Sequence, residues 1–127
     1  MHFLFLIHAE GGGSDHVPPE DLDAIMAAVE AFDAEITAQG RNLGSIRLQP
    51  AGTARTLRNV NGQRLVTDGP FADTKEHLGG LWLIEAMDLD EALTIARRLP
   101  DNAFATIEVR PVLGVDLRGA LQAFAQE

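Results

Sequence analysis

The chain has no cysteine, and only one of its ten basic residues, Lys75, is a lysine. Without cysteine there is no disulfide framework, no thiolate nucleophile and no zinc knuckle. Long apolar runs are missing too. Phe3-Leu4-Phe5-Leu6-Ile7, the longest near the N-terminus, is bounded by His2 and His8. It falls far short of the roughly 18–20 residues that span a bilayer, and it has no basic flank of the signal-peptide kind. A cytoplasmic protein with no membrane partner is the expectation. Positive charge is scarce: 10 Lys and Arg stand against 19 Asp and Glu, a net charge of −9. That balance argues against direct nucleic-acid binding, which rests on neutralising phosphates. Repeats, linkers and low-complexity tracts are absent, so the 127 residues read as one domain spanning 1–127, large enough for its own core.

Periodicity then supplies the elements. A first strand over 2–8 is apolar on both sides, with Phe3, Phe5 and Ile7 on one face and Leu4 and Leu6 on the other, so both faces need cover. Residues 9–18 form a loop containing Gly11-Gly12-Gly13. After Pro18-Pro19 a helix runs to about Gln39, with Leu22, Ile25, Met26, Val29, Phe32 and Ile36 on one stripe and Gly40 as its stop. A strand near 43–49 follows. Strands over 54–60 and 63–68 flank Asn61-Gly62, a two-residue hairpin turn whose residues both need positive φ. Another strand covers about 78–86. A second helix opens at Asp88, with Glu91 completing a capping box, buries Leu89, Ala92, Leu93, Ala96 and Leu99, and stops at Pro100. A last strand near 105–112 alternates Ile107 and Val109 against Glu108 and Arg110. Residues 116–127 read as a short helical tail.

The order is β-α-β-β-β-α-β, an α+β, ferredoxin-like antiparallel sheet with an inserted β-hairpin. Two helices cover only one face of such a sheet. A second copy packed face to face would cover the other, so a homodimer is expected.

The chemistry concentrates in Asp68-Gly69-Pro70-Phe71-Ala72-Asp73-Thr74-Lys75-Glu76, followed by His77 and the Gly79-Gly80 pair. Carboxylates, a hydroxyl, an ammonium and an imidazole lie where glycine lets backbone approach a ligand closely. This run resembles the signature of the YCII-related proteins of the DGPF type. The likeness extends through Leu65-Val66-Thr67-Asp68, Leu89-Asp90-Glu91-Ala92 and Ile107-Glu108-Val109-Arg110-Pro111-Val112. It implies a dimeric α/β barrel with a cleft between helices and sheet or at the dimer interface. Some relatives are enzymes that act on small aromatic or lactone-like substrates through a His–Asp pair, of which this chain shows no clear equivalent. Many DGPF-type relatives are encoded beside extracytoplasmic-function sigma factors, which implies a regulatory alternative with a sigma factor as partner.

The expected ligand is a small anionic or phenolic molecule held near the loop by Asp68, Gly69, Pro70, Phe71, Lys75, Glu76, Gly79, Gly80 and Arg110. Candidates for acid–base chemistry are His8, Asp68 and His77. Each has a plainer reading. Asp68 can cap its own turn, Phe71 can anchor the loop in the core, and a histidine at a strand end can be a hydrogen-bonded structural residue. Glu108 and Arg110 can form a salt bridge across strands, and the glycines can serve shape alone. The four histidines have no metal-type spacing, and no cofactor is called for. Arg55, Arg58 and Arg64 make the hairpin a basic, solvated arm.

Overall fold

The computed structural model describes residues 1–13, 17–100 and 104–117. Six strands and two helices follow one another as β1 (His2–Glu10), α1 (Pro19–Ala38), β2 (Asn42–Arg47), β3 (Arg55–Val60), β4 (Gln63–Asp68), β5 (Glu76–Glu85), α2 (Leu89–Ala96) and β6 (Thr106–Pro111). Four strands form an antiparallel sheet in the order β2-β5-β1-β6, and β3 pairs only with β4. This is the expected ferredoxin-like α+β plan with its inserted hairpin. β1 ends two residues later, and β5 begins two residues earlier, than periodicity indicated, so Glu76 and His77 are strand residues.

Register explains the core. On the helix side the rows across the sheet are Ile84–Phe3, then Trp82–Phe5–Val109, then Gly80–Ile7–Ile107. Phe3, Phe5 and Ile84 are fully buried, and they cluster with Phe32 and Ile36 of α1 and with Ala92, Ile95, Ala96 and Leu99 of the α2 region. Full burial of one such large side chain is worth roughly 1.5–3 kcal/mol. Phe32 meets Trp82 edge to face, centroids 5.5 Å apart. The opposite face carries Leu83–Leu4–Arg110 and Leu81–Leu6–Glu108, and neither helix covers it.

Local chemistry ends α1 where the sequence indicated, whereas α2 stops at Ala96, short of the expected end at Pro100. Pro19 opens α1 with Glu20 and Asp21 in its first turn, matching acid to the positive end of the helix. Gly40 takes φ +72°. The Gly40 amide then donates to Thr37 O at 3.0 Å and the Arg41 amide to Ile36 O at 2.9 Å, the paired bonds of a Schellman stop. At α2 the Glu91 amide donates to Asp88 Oδ1 at 2.8 Å. The Glu91 carboxylate accepts from the Met87 amide at 3.0 Å, one residue before the cap, where a capping box would have closed on Asp88. Leu89 is exposed, not buried, and Ile95 takes its place in the core. Asn61 and Gly62 take φ +51° and +79°, as the two-residue hairpin requires. Residues 118–127 of the expected tail lie outside the described residues, and 116–117 are irregular.

Candidate functional site

The apolar stripe of α1 divides in two. Its C-terminal half, Phe32 and Ile36, seals onto the sheet, whereas Leu22, Ile25, Met26 and Val29 are only half-buried. These four side chains instead line a cavity of about 440 Å³ between the helix and the sheet. The opposite wall is Ile7, Ala9 and Trp82. Gly12, Gly13, Pro50, Gly79 and Gly80 close one side, and Leu99 and Phe104 another. The size lies within the roughly 300–1,000 Å³ typical of small-ligand sites.

Glycine makes this wall possible. A Cβ on Gly79 would stand 2.3 Å from Gly12 O, and one on Gly80 would stand 2.8 Å from Ile46 O. Both contacts are with backbone, so the 11–13 loop and β2 can close on β5 only because these side chains are missing. The Leu48 amide donates to Gly79 O at 2.9 Å and the Ala51 amide to Gly11 O at 2.9 Å, which fixes the lip.

Three charged residues line the cavity. Arg47 lies across from Gly80 on the edge strand and has no carboxylate within ion-pair distance among the described residues. Glu30 and Asp33 come from α1. Asp33 accepts from Asn42 Nδ2 at 2.6 Å and from Thr37 Oγ1 at 3.4 Å. An apolar slot with one guanidinium and two carboxylates at its margin can hold a flat, mostly apolar molecule that bears an acidic group and a hydrogen-bond donor.

The residues singled out in the sequence fall in four places. Gly79 and Gly80 line the cavity. His8 and Arg110 lie on the uncovered sheet face, where His8 Nε2 is 3.2 Å from Glu108 Oε1 and Arg110 donates to Glu108 Oε2. The Arg110 guanidinium holds the Glu108 carboxyl below the usual carboxylate range, and the His8 contact acts the same way. The Glu108–Arg110 pair runs along one strand, and His8 supplies the bond across strands.

Asp68, Gly69, Pro70 and Phe71 belong to the base of the hairpin. Asp68 pairs with Arg55 Nε at 3.1 Å. The turn is held by the Gly69 amide donating to Ala54 O at 2.8 Å and by Thr56 Oγ1 donating to Gly69 O at 2.8 Å. Phe71 is 75% exposed, with the Arg58 guanidinium 5.6 Å from its ring centroid. The expectation of a core anchor is thereby corrected: a cation, not the core, meets the ring.

Lys75, Glu76 and His77 lead into β5. Lys75 Nζ stands 3.8 Å from Glu10 Oε2, both side chains being largely exposed, and such a pair contributes little. Glu76 faces Glu10 and His77 faces Ala9 in the β1–β5 register. None of Asp68, Phe71, Lys75 and Glu76 lines the cavity. Sequence reasoning did not single out Arg47 or the open half of α1. The available signal was an arginine on the strand that must pair with Gly79-Gly80, where the missing side chains leave room above the sheet.

The chain is 42% identical over 96 residues to an uncharacterized protein of Rhizobium meliloti strain 1021, covering 73% of this chain and 77% of that one. Among solved structures it is similar to the 5-chloro-2-hydroxyhydroquinone dehydrochlorinase of Burkholderia phenoliruptrix AC1100, determined with 2,5-dihydroxybenzoquinone. The TM-score is 0.46 and the identity 20%, over 91% of this chain and 96% of that chain. The family model of the YCII-related domain matches residues 1–116, and the chain belongs to that family.

Proposed function

We propose that the protein binds a small anionic or hydroxyaromatic molecule in the cavity between α1 and the sheet. The observation that carries this reading is the divided stripe of α1, whose N-terminal half turns four apolar side chains toward a cavity and not toward packed protein. Leaving such a surface unfilled forgoes burial worth about 25 cal/mol per Å², a cost that a resident ligand offsets. Trp82 and Met26 suit a flat ring, through stacking and sulfur–aromatic contact. Arg47 supplies the charge for a carboxylate or phenolate, and its guanidinium offers paired donors. Glu30 and Asp33 select for a hydroxyl at the other end.

A thermal-shift screen of benzoates, hydroxybenzoates and their neutral analogues tests the reading, because a ligand that binds only the folded state raises its stability by mass action. The acids should raise the melting temperature of the wild type. Met26→Trp, which fills the cavity, should abolish the shift. Arg47→Gln should weaken the acids selectively and leave neutral analogues unchanged. Shifts that survive Met26→Trp unchanged would place the ligand elsewhere.

A further inference from the structure

The charges at the margin of the cavity do not balance. Arg47 faces two carboxylates, Glu30 and Asp33, in the same lining. Neither Arg47 nor Glu30 has an ion-pair partner among the described residues, so the two do not neutralise each other. Asp33 is held differently. Its Oδ1 accepts from Asn42 Nδ2 at 2.6 Å and from Thr37 Oγ1 at 3.4 Å. Asn42 Oδ1 in turn accepts from the Gly44 amide at 3.1 Å. One carboxylate oxygen is thereby pinned to the start of β2, and Oδ2 takes no part in that network. Glu30 precedes Asp33 by three positions on α1, so the two carboxylates share one face of the helix.

An acid alone fits this margin poorly. The lining carries −1, and a carboxylate ligand takes the site to −2 with Glu30 and Asp33 still uncompensated. A hydroxyl donates one hydrogen bond, whereas an ammonium donates three and brings the opposite charge. Three donors can serve Glu30 and Asp33 Oδ2 together, through charge-assisted bonds about twice as strong as neutral ones. Register sets the spacing. Asn42 pairs with Ile84 and Arg47 with Gly80, stations about 13 Å apart along β5. The anionic and cationic subsites therefore lie toward opposite ends of β2, with Trp82 between them in the same wall. A flat ring beside Trp82 can bridge them. An α-amino acid, with both charges on one carbon, cannot.

We propose that the ligand of this cavity is an amphoteric aromatic, its carboxylate on Arg47 and a protonated aliphatic amine on Glu30 and Asp33. The inference rests on the cavity reading above and narrows it, putting an ammonium in place of a hydroxyl at the acidic margin. A saturated carbon separates the nitrogen from the ring, because an amine attached directly to an aromatic ring is uncharged at neutral pH. Asn42 acts as a positioning residue, holding Asp33 so that its second oxygen is ready for the ligand.

Calorimetric titration with para-(aminomethyl)benzoate and its isosteres para-(hydroxymethyl)benzoate and para-methylbenzoate tests this. In the wild type the amine should bind about tenfold tighter than either isostere, as expected when charge-assisted bonds replace neutral ones. Glu30→Gln changes an exposed position, so its circular dichroism should match wild type while the ratio falls to about threefold or less. Arg47→Gln should weaken all three compounds by a common factor, since all carry the carboxylate. The wild-type ratio needs no variant and decides the matter even where a variant fails to fold. Isosteres that bind within about threefold of the amine, and are blocked with it by Met26→Trp, would overturn the ammonium subsite and leave the cavity reading standing. So would a ratio that neither Glu30→Gln nor Asp33→Asn changes. Failure of all three compounds to bind, or binding that survives Met26→Trp, would overturn the cavity reading and this inference with it.

Discussion

Gly79→Ala is the sharpest single perturbation, because it adds one methyl group at a place where the geometry gives a definite answer. The new Cβ would lie 2.3 Å from Gly12 O and 2.9 Å from Gly12 C. Ordinary contact needs more than 3.4 Å, so something must move by about 1 Å, and the atoms in the way are backbone. Gly12 is held by the hydrogen bond its amide donates to Ala9 O at 2.9 Å, and its neighbour Gly11 accepts from the Ala51 amide at 2.9 Å. Losing one or two of these bonds costs about 1 kcal/mol each, and overpacking of this kind costs about 1–3 kcal/mol. The reduced freedom of the unfolded chain returns about 0.4–1 kcal/mol. A net loss of about 2 kcal/mol should lower the urea midpoint by about 1 M, for a slope near 2 kcal/mol per M. Gly44→Ala is the control: it lies on β2 with nothing within 4 Å of its Cβ and no positive φ, and its midpoint should stay within about 0.3 M of wild type. Equal midpoints for the two variants would refute the reasoning, whichever way both moved.

Two further outcomes follow from the same geometry. Glu91 is held below the usual carboxylate range, first by its hydrogen bond from Arg41 and next by the Met87 amide. A depressed folded-state value stabilises fully above the unfolded value of about 4.3 and is lost as pH falls through the folded one. Glu91→Gln should therefore flatten the acid limb of a midpoint-against-pH curve, and an unchanged limb would discount the Arg41 contact. Along α1, Ile36→Ala should cost about 3–4 kcal/mol because Ile36 is fully buried and leaves a cavity behind. Met26→Ala, which only enlarges a cavity already present, should cost about 1 kcal/mol by urea unfolding. Equal losses would mean that the N-terminal half of α1 is packed after all.

The parts of this fold that were legible in the sequence are those set within a few residues. The parity of β1, the stripe of α1, the Gly40 stop and the Asn61-Gly62 turn each depend on neighbours along the chain. Sequence does not say whether a stripe is covered along its whole length. Leu22 and Ile36 belong to the same apolar face, and only tertiary packing makes one a cavity wall and the other core. Phe71 shows the same limit from the other side. An aromatic in a loop reads as an anchor, but Arg58, thirteen positions earlier in the chain, meets its ring only once the hairpin has formed. The need for glycine at 79 was visible as a Gly-Gly pair, yet its cause is the backbone of Gly12, which topology alone brings close.

The motif and the cavity are separate in space and joined through backbone. Gly11 donates to Lys75 O at 3.4 Å and accepts from Ala51, while Gly12 packs on Gly79. Residues 51–54 lead into β3, and 69–75 lead out of β4. Both ends of the arm are thus tied to the loop that forms the lip of the cavity. A substitution at Asp68 or Lys75 that loosens the arm can shift Gly11 and Gly12 without any contact between those side chains and a ligand. A change in ligand affinity on mutating the motif would therefore not place the motif in the site. Arg47 and Met26 have no part in the arm and do line the cavity, so their variants separate a direct contact from a displaced lip.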